Sequence, residues 1–188
     1  MQIILASASP RRERLLARAV RKFSVVPAHI DERIRRGETF SRACVRLARG
    51  KARAVARSRK GAVVVGVDTV AYLGRMNCRK TDSETAARKI LLLLSGKMHV
   101  VATGVCVIFP DGREIAYCEK ARVKMKRLTP VLLDWYMKTG EWKGRAGSYD
   151  VSGKGARLVE KIAGEKETVV GLPLERLRLI LRKERKRK

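Results

Sequence analysis

Side-chain amides are almost absent from this chain, with one asparagine, Asn77, and one glutamine, Gln2, in 188 residues. That scarcity of thermolabile residues is a thermophile habit, although thermophile ion-pair networks need more acid than is present. Acid is the second shortage: 18 Asp and Glu stand against 44 Lys and Arg, a formal net charge of +26. Aromatics make up 5%, too few for a surface that stacks one base after another. The four cysteines (Cys44, Cys78, Cys106, Cys118) show no CxxC spacing and only His29 and His99 could join them, which argues against a zinc site. No apolar run approaches the roughly 20 residues of a membrane helix. Nor does the start carry a charged n-region or a long h-region, so the protein reads as cytoplasmic, without a secretory signal or a membrane partner. Walker A and Rossmann glycine patterns are missing too; Ser148 to Gly155 comes closest to the former but lacks its first Gly and final Ser/Thr.

What is present suffices for one α/β domain, with room for two lobes, since hydrophobic residues make up 45%. The spacing predicts a strand at 2–6, a helix at 10–21, a short strand near 24–28 and a helix at 40–58. The apolar run Ala62 to Val67 predicts a strand covered on both faces and ending at Asp68-Thr69. Thr81-Asp82-Ser83-Glu84 reads as a capping box opening a helix that stops at Gly96. Two strands, about 98–109 and 114–125, flank a hairpin turn at Pro110-Asp111-Gly112-Arg113. Centred on Gly112, that turn sets Cys106 opposite Cys118, as free thiols in a reducing compartment. In the second strand Ala121, Val123 and Met125 alternate with Lys120, Arg122, Lys124 and Lys126, giving one wet, basic face. A helix from Thr129-Pro130 to Gly140, a glycine-rich loop at 144–155, strands near 156–163 and 167–171, and a last helix opened by Pro173 complete the chain. The order implies a mixed sheet with helices packed on it, over residues 1–181, followed by a basic tail at 182–188.

The chemistry gathers at a few positions. Ser7-Ala8-Ser9-Pro10-Arg11-Arg12 links the first strand to a helix start, with Ser9 as N-cap and Pro10 at the first helical position. Arginine in a first turn opposes the helix dipole unless an anion is bound there, and a helix N-terminus is a ready anion site. Asp68 closes an apolar strand, where a carboxylate needs a partner or a metal. Lys51 falls on the apolar stripe of the 40–58 helix, four residues from both Leu47 and Val55. Glu32 follows Asp31 in a loop, and Lys80 precedes the capping box. Phosphate-gripping cations with two carboxylates are what metal-assisted hydrolysis of a polyphosphate needs.

In order along the chain stand Leu5-Ala6-Ser7-x-Ser9-Pro10-Arg11-Arg12, Asp31-Glu32, Leu47-Ala48-x-x-Lys51-Ala52, Asp68-Thr69-Val70, Lys80, Leu94-Ser95-Gly96-Lys97-x-His99-x-Val101-x-Thr103-Gly104, Ala146-Gly147-Ser148-Tyr149 and Val169-Val170-Gly171-Leu172-Pro173-Leu174. With these motifs the chain resembles the Maf family of nucleoside triphosphate pyrophosphatases over nearly its whole length. The resemblance implies an elongated α/β fold on a mixed, strongly curved sheet, like that of the inosine triphosphatases, often as a homodimer. It implies cleavage of a nucleoside triphosphate between its α and β phosphates with a divalent cation (Mg²⁺ or Mn²⁺), a housecleaning task. Carried over, Asp68 is the proton acceptor, Glu32 and Asp68 hold the metal, and Ser7, Arg12, Lys51 and Lys80 grip the triphosphate. Arg11 and Thr69 resemble the dTTP/UTP branch. The third branch-specific position is Ser152, where that branch has Gln, and Thr81 follows Lys80 where the family has Pro. The alternative reading is a basic nucleic-acid-binding protein without catalysis. For the enzyme, nucleic-acid contact is expected to be weak and sequence-blind.

Overall fold

The first strand and helix form where a fully apolar tetrapeptide meets a proline at the first helical position. The computed structural model describes residues 2–186. Its elements are β1 (Ile3–Ala6), α1 (Pro10–Ala17), β2 (Ser24–Val25), α2 (Phe40–Ala56), β3 (Val63–Leu73), β4 (Met76–Asn77), α3 (Glu84–Leu94), β5 (Met98–Ile108), β6 (Glu114–Met125), α4 (Pro130–Lys138), β7 (Val159–Ala163), α5 (Lys166–Val170) and α6 (Leu174–Arg185). The sheet runs β2-β1-β3-β5-β6-β7, with β4 paired to β3. β1 is parallel to β2 and β3, whereas β3–β4 and β6–β7 are antiparallel. The mixed sheet with helices is therefore as expected, and no helix among the described residues is long and apolar enough to cross a membrane.

Contacts divide the chain into two compact units. The first holds the residues up to Asp68, Thr103–Glu119 and those from Gly171 onward; the second holds Thr69–Ala102 and Lys120–Val170. The first has a core of Ile4, Ala6, Ala48, Ala52, Val55, Ala62, Val64 and Cys106. In the second, Leu91, Leu94, Val123, Met125, Tyr136, Tyr149 and Leu158 are among the fully packed residues. The basic terminal segment is helical as far as Arg185, in α6, while Arg187 and Lys188 lie outside the described residues.

Several elements differ from their sequence reading, each for a local reason. α1 ends at Ala17 rather than 21, because the chain tightens into three-residue bonds (Arg18 to Leu15, Ala19 to Leu16) that bring Val20 inward. β3 continues past Asp68 to Leu73, so Asp68 lies within the strand; Thr69-Val70-Ala71-Tyr72 keeps a strand-forming composition. α3 is capped by Ser83, whose hydroxyl accepts from the Ala86 N–H at 3.3 Å, while Thr81 accepts from Ser83. The segment near 167–171 is helix, not strand. Gly164 (φ 117°) and Gly171 (φ 120°) break the extended chain on either side, and Val169 and Val170 turn onto the core. The hairpin closes with the Phe109 N–H on the Arg113 carbonyl at 2.9 Å, centring the turn on Asp111 and moving the facing positions by two residues. Cys118 meets the Cys44 thiol and Cys106 meets Glu114 instead, and all four cysteines are free.

The decisive packing is that of α2 on the sheet. A Cβ built on Gly66 would lie 2.2 Å from the Ala48 carbonyl oxygen and 2.6 Å from the Ala52 nitrogen. One built on Gly104 would lie 2.3 Å from the Cys44 carbonyl. Both obstacles are backbone and cannot swing aside. Gly66→Ala is therefore expected to destabilise the protein by about 3 kcal/mol or more, the upper range for overpacking a core. Urea unfolding measures it, and an unchanged midpoint would show that α2 does not rest on β3 this closely.

Candidate active site

β1 delivers Ser7 at its carboxyl end, and α1 begins three residues later. Ser9 occupies the N-cap position with extended backbone, but its side chain makes no capping bond. Ser7 does the local work instead: its hydroxyl accepts from the Ser9 N–H at 3.3 Å and from Arg12 Nη1 at 3.1 Å. Arg12 is buried, and its Nε donates to the carbonyl of Gly171 at 3.0 Å. Burial pulls the guanidinium below its ordinary pKa, while the charges of Asp68 and Glu32 act in the opposite sense. Sequence reasoning missed the Gly171 carbonyl, because a backbone acceptor has no residue type to read. Its one signal was its place in the Val169 to Leu174 motif.

α2 delivers Lys51. The glycines beneath the helix let it lie close enough for Lys51 Nζ to reach Asp68 Oδ1 at 2.7 Å, with Asp68 two residues beyond Gly66 on β3. The same ammonium meets Glu32 Oε1 at 2.5 Å. Lys51 and Asp68 are both buried, and Glu32 is the solvent-facing member. Burying an ammonium costs several kcal/mol unless carboxylates and hydrogen bonds compensate, and here two carboxylates do. Ser7, Arg12, Glu32, Lys51 and Asp68 thus form one cluster in the first unit, with Arg11 half-buried beside Arg12 in the sequence.

Lys80, Thr69 and Ser152 belong to the second unit. Lys80 is exposed before α3, and Thr69 is half-buried on β3. Ser152 sits exposed in the glycine-rich loop, its hydroxyl donating to Asp150 Oδ1 at 2.5 Å and its N–H to the same oxygen at 2.9 Å. Glu141 fastens the loop by accepting the N–H groups of Lys154 (3.0 Å) and Gly155 (2.7 Å). His99 Nε2 meets the Tyr149 hydroxyl at 2.8 Å, a brace that the quoted motifs contain but whose partners spacing alone does not reveal.

The family profile described as Maf-like protein matches residues 2–184. The chain belongs to the Maf family. Among its Maf relatives, the dTTP/UTP pyrophosphatase of Hyphomonas neptunium is 43% identical over 95% of this chain and 93% of its own. Those of Thermococcus gammatolerans (43%, covering 92% and 91%) and Aquifex aeolicus (41%, covering 97% and 95%) are similar to a like degree. In fold, this Maf chain is similar to the Staphylococcus aureus Ham1 protein, with a TM-score of 0.57, 14% identity, and 98% and 100% of the two chains covered. A HAM1 protein from Coxiella burnetii gives 0.51 at 17% identity, with 97% and 99% covered.

Burial drives His99 down to about 4 from an ordinary value of 6.5. Between those values the unfolded chain binds the proton and the folded one does not, so stability is fully present above about pH 6.5 and is lost as pH falls toward 4. The shift corresponds to at most about 3 kcal/mol. Urea unfolding across this window should show a steeper loss in the native protein than in His99→Gln. Equal slopes would mean that His99 does not resist protonation in the fold.

Proposed function

We propose that this Maf protein hydrolyses nucleoside triphosphates of the dTTP/UTP type between the α and β phosphates, releasing pyrophosphate. The observation that carries the reading is the Lys51 ammonium held between Asp68 and Glu32, 2.7 and 2.5 Å away. Beside it, Arg12 is braced by Ser7 and Gly171. Such an enzyme clears non-standard nucleotides in the cytoplasm and works as a homodimer, by resemblance to its family.

The donor set fits a divalent cation: the two carboxylates already converge on one positive charge, and Mg²⁺ takes one or two carboxylates plus substrate oxygens and waters. Glu32 and Asp68 would hold it. When bound, it neutralises charge on the phosphate oxygens and polarises the bond that breaks. Asp68, within its strand, accepts the proton of the attacking water. Lys51, which otherwise neutralises both carboxylates, turns to the phosphates once that charge is taken over. Arg12 is pre-aimed and loses little freedom on gripping a phosphate, since Ser7 and Gly171 already fix it. By the same resemblance, Lys80 neutralises phosphate charge.

Asp68→Asn should reduce pyrophosphate release by about a hundredfold or more, the usual range for a positioned proton acceptor. It keeps Lys51 paired with Glu32, so the thermal transition stays close to that of the parent. Full turnover in the variant would remove Asp68 from this role.

Arg11, Thr69 and Ser152 are the positions assigned to the choice of base. The Ser152 hydroxyl already donates to Asp150, so its proton is not available to a base edge, and a shorter side chain stands where the branch has Gln. A site that reads the base with fewer hydrogen bonds discriminates less sharply. The enzyme is expected to accept dTTP, UTP and CTP, and Ser152→Gln should narrow that range. A nucleotide panel with pyrophosphate detection checks both, and 7-methyl-GTP as the best substrate would overturn the branch assignment.

A further inference from the structure

One face of the second unit's sheet carries a row of cations. On β6, Lys120, Arg122 and Lys124 alternate with the buried Ala121, Val123 and Met125, and Lys126 follows directly after the strand. On β7 the pairing register sets Lys161 directly opposite Lys124. Like charges in facing positions repel and weaken a sheet, yet here they are adjacent at its edge. Lys124 carries its ammonium to the Gly96 carbonyl at 2.8 Å. Lys120, Arg122, Lys126 and Lys161 make no ion pair among the described residues, and all four are exposed.

Ion pairs hold several cations in other parts of the molecule. Arg46 pairs with Glu38, Arg88 with Asp134, and Arg49 and Arg53 share Glu114. Near the basic face, Glu119 is taken by Arg176, and Glu160 falls at the register shift between the partners of Lys124 and Met125. Neither acid forms an ion pair with Lys120, Arg122, Lys126 or Lys161 among the described residues.

We infer that this face binds a single nucleic-acid strand along its phosphate backbone. Alternate residues of a strand stand about 6.7 Å apart, so Lys120 to Lys126 form a line of cations about 20 Å long. Lys161 lies one strand-spacing, about 4.8 Å, to the side. One narrow line of charge matches one backbone, whereas the two backbones of a duplex are set apart by grooves of about 6 and 12 Å. Met98, 47% exposed, and the half-buried Val100 on neighbouring β5 lie on the same side of the sheet, opposite the inward His99 and Val101, and offer an apolar margin for sugars or bases. No aromatic residue of β5, β6 or β7 lies on that face, so the contact reads charge and not sequence.

The test uses the full chain and a labelled single-stranded RNA of about 20 nucleotides, followed by fluorescence anisotropy over a salt series. The variant Lys120→Glu/Arg122→Glu/Lys161→Glu is compared with Arg57→Glu/Arg59→Glu/Lys60→Glu, which makes the same charge change in the exposed turn after α2. Each lost phosphate contact lowers the slope of log affinity against log salt by about 0.7 for a single strand. The sheet-face variant should therefore lose about 2 from the slope, with the turn variant unchanged and both releasing pyrophosphate at the parent rate. An equal loss in the two variants would assign the binding to net charge. Failure of the parent to bind at low salt, an unchanged slope in the sheet-face variant, or binding of anionic vesicles in preference to RNA would each overturn the inference.

Discussion

Everything at the Lys51 cluster depends on how closely the backbone of α2 approaches the backbone of β3 and β5. Gly66 and Gly104 are the points of contact, with no room for a single carbon. Helix and sheet axes normally stand apart by the thickness of two side-chain layers. Removing one layer here shortens the span that a lysine must cross, so that Lys51 reaches Asp68 from a buried position on the helix. The ion pair then sits where water screens it little. Such a pair adds little stability against an apolar alternative, and its presence at the centre of the first unit is better explained by what it holds ready than by what it holds together.

Charge is distributed on two scales. Within the cluster, Arg12 and Lys51 are matched by Asp68 and Glu32, so the cluster is balanced before a substrate arrives. Across the whole chain the balance is +26, a field that draws polyanions from a distance and raises their encounter rate. The two scales are compatible because the local balance is made of groups that can change partners. In the proposed reaction, a triphosphate and a cation would take up the partners that Arg12, Lys51, Asp68 and Glu32 give up, so that no buried charge is left alone.

Legibility in the sequence followed the range of the interaction. β5 and β6 were expected at 98–109 and 114–125 and stand at Met98–Ile108 and Glu114–Met125, because alternation is a property of neighbouring residues. Lys51 was legible as a charge on an apolar stripe, and Asp68 as a carboxylate after five apolar residues and a glycine. The single turn of α5 was not legible, since Val169 and Val170 favour strand and only the positive φ of Gly164 and Gly171 decides otherwise. Gly66 was hidden within a run of valines, where nothing local distinguishes a glycine that meets a helix from one that merely fits. The Gly171 carbonyl and the His99–Tyr149 brace join residues 159 and 50 positions apart, distances over which periodicity carries no information.

The bond from Arg12 to Gly171 also bears on how the protein folds. It joins residues 159 positions apart, so the loop it closes is long and its closure costs entropy that nearer contacts do not. The central hairpin and the second unit's core close within the middle of the sequence, whereas the first unit has to gather α6 onto the segments before Asp68. Contacts so distant along the chain form slowly. Arg12 therefore gains its carbonyl anchor late, and a chain whose hairpin has already closed still carries a guanidinium without that anchor.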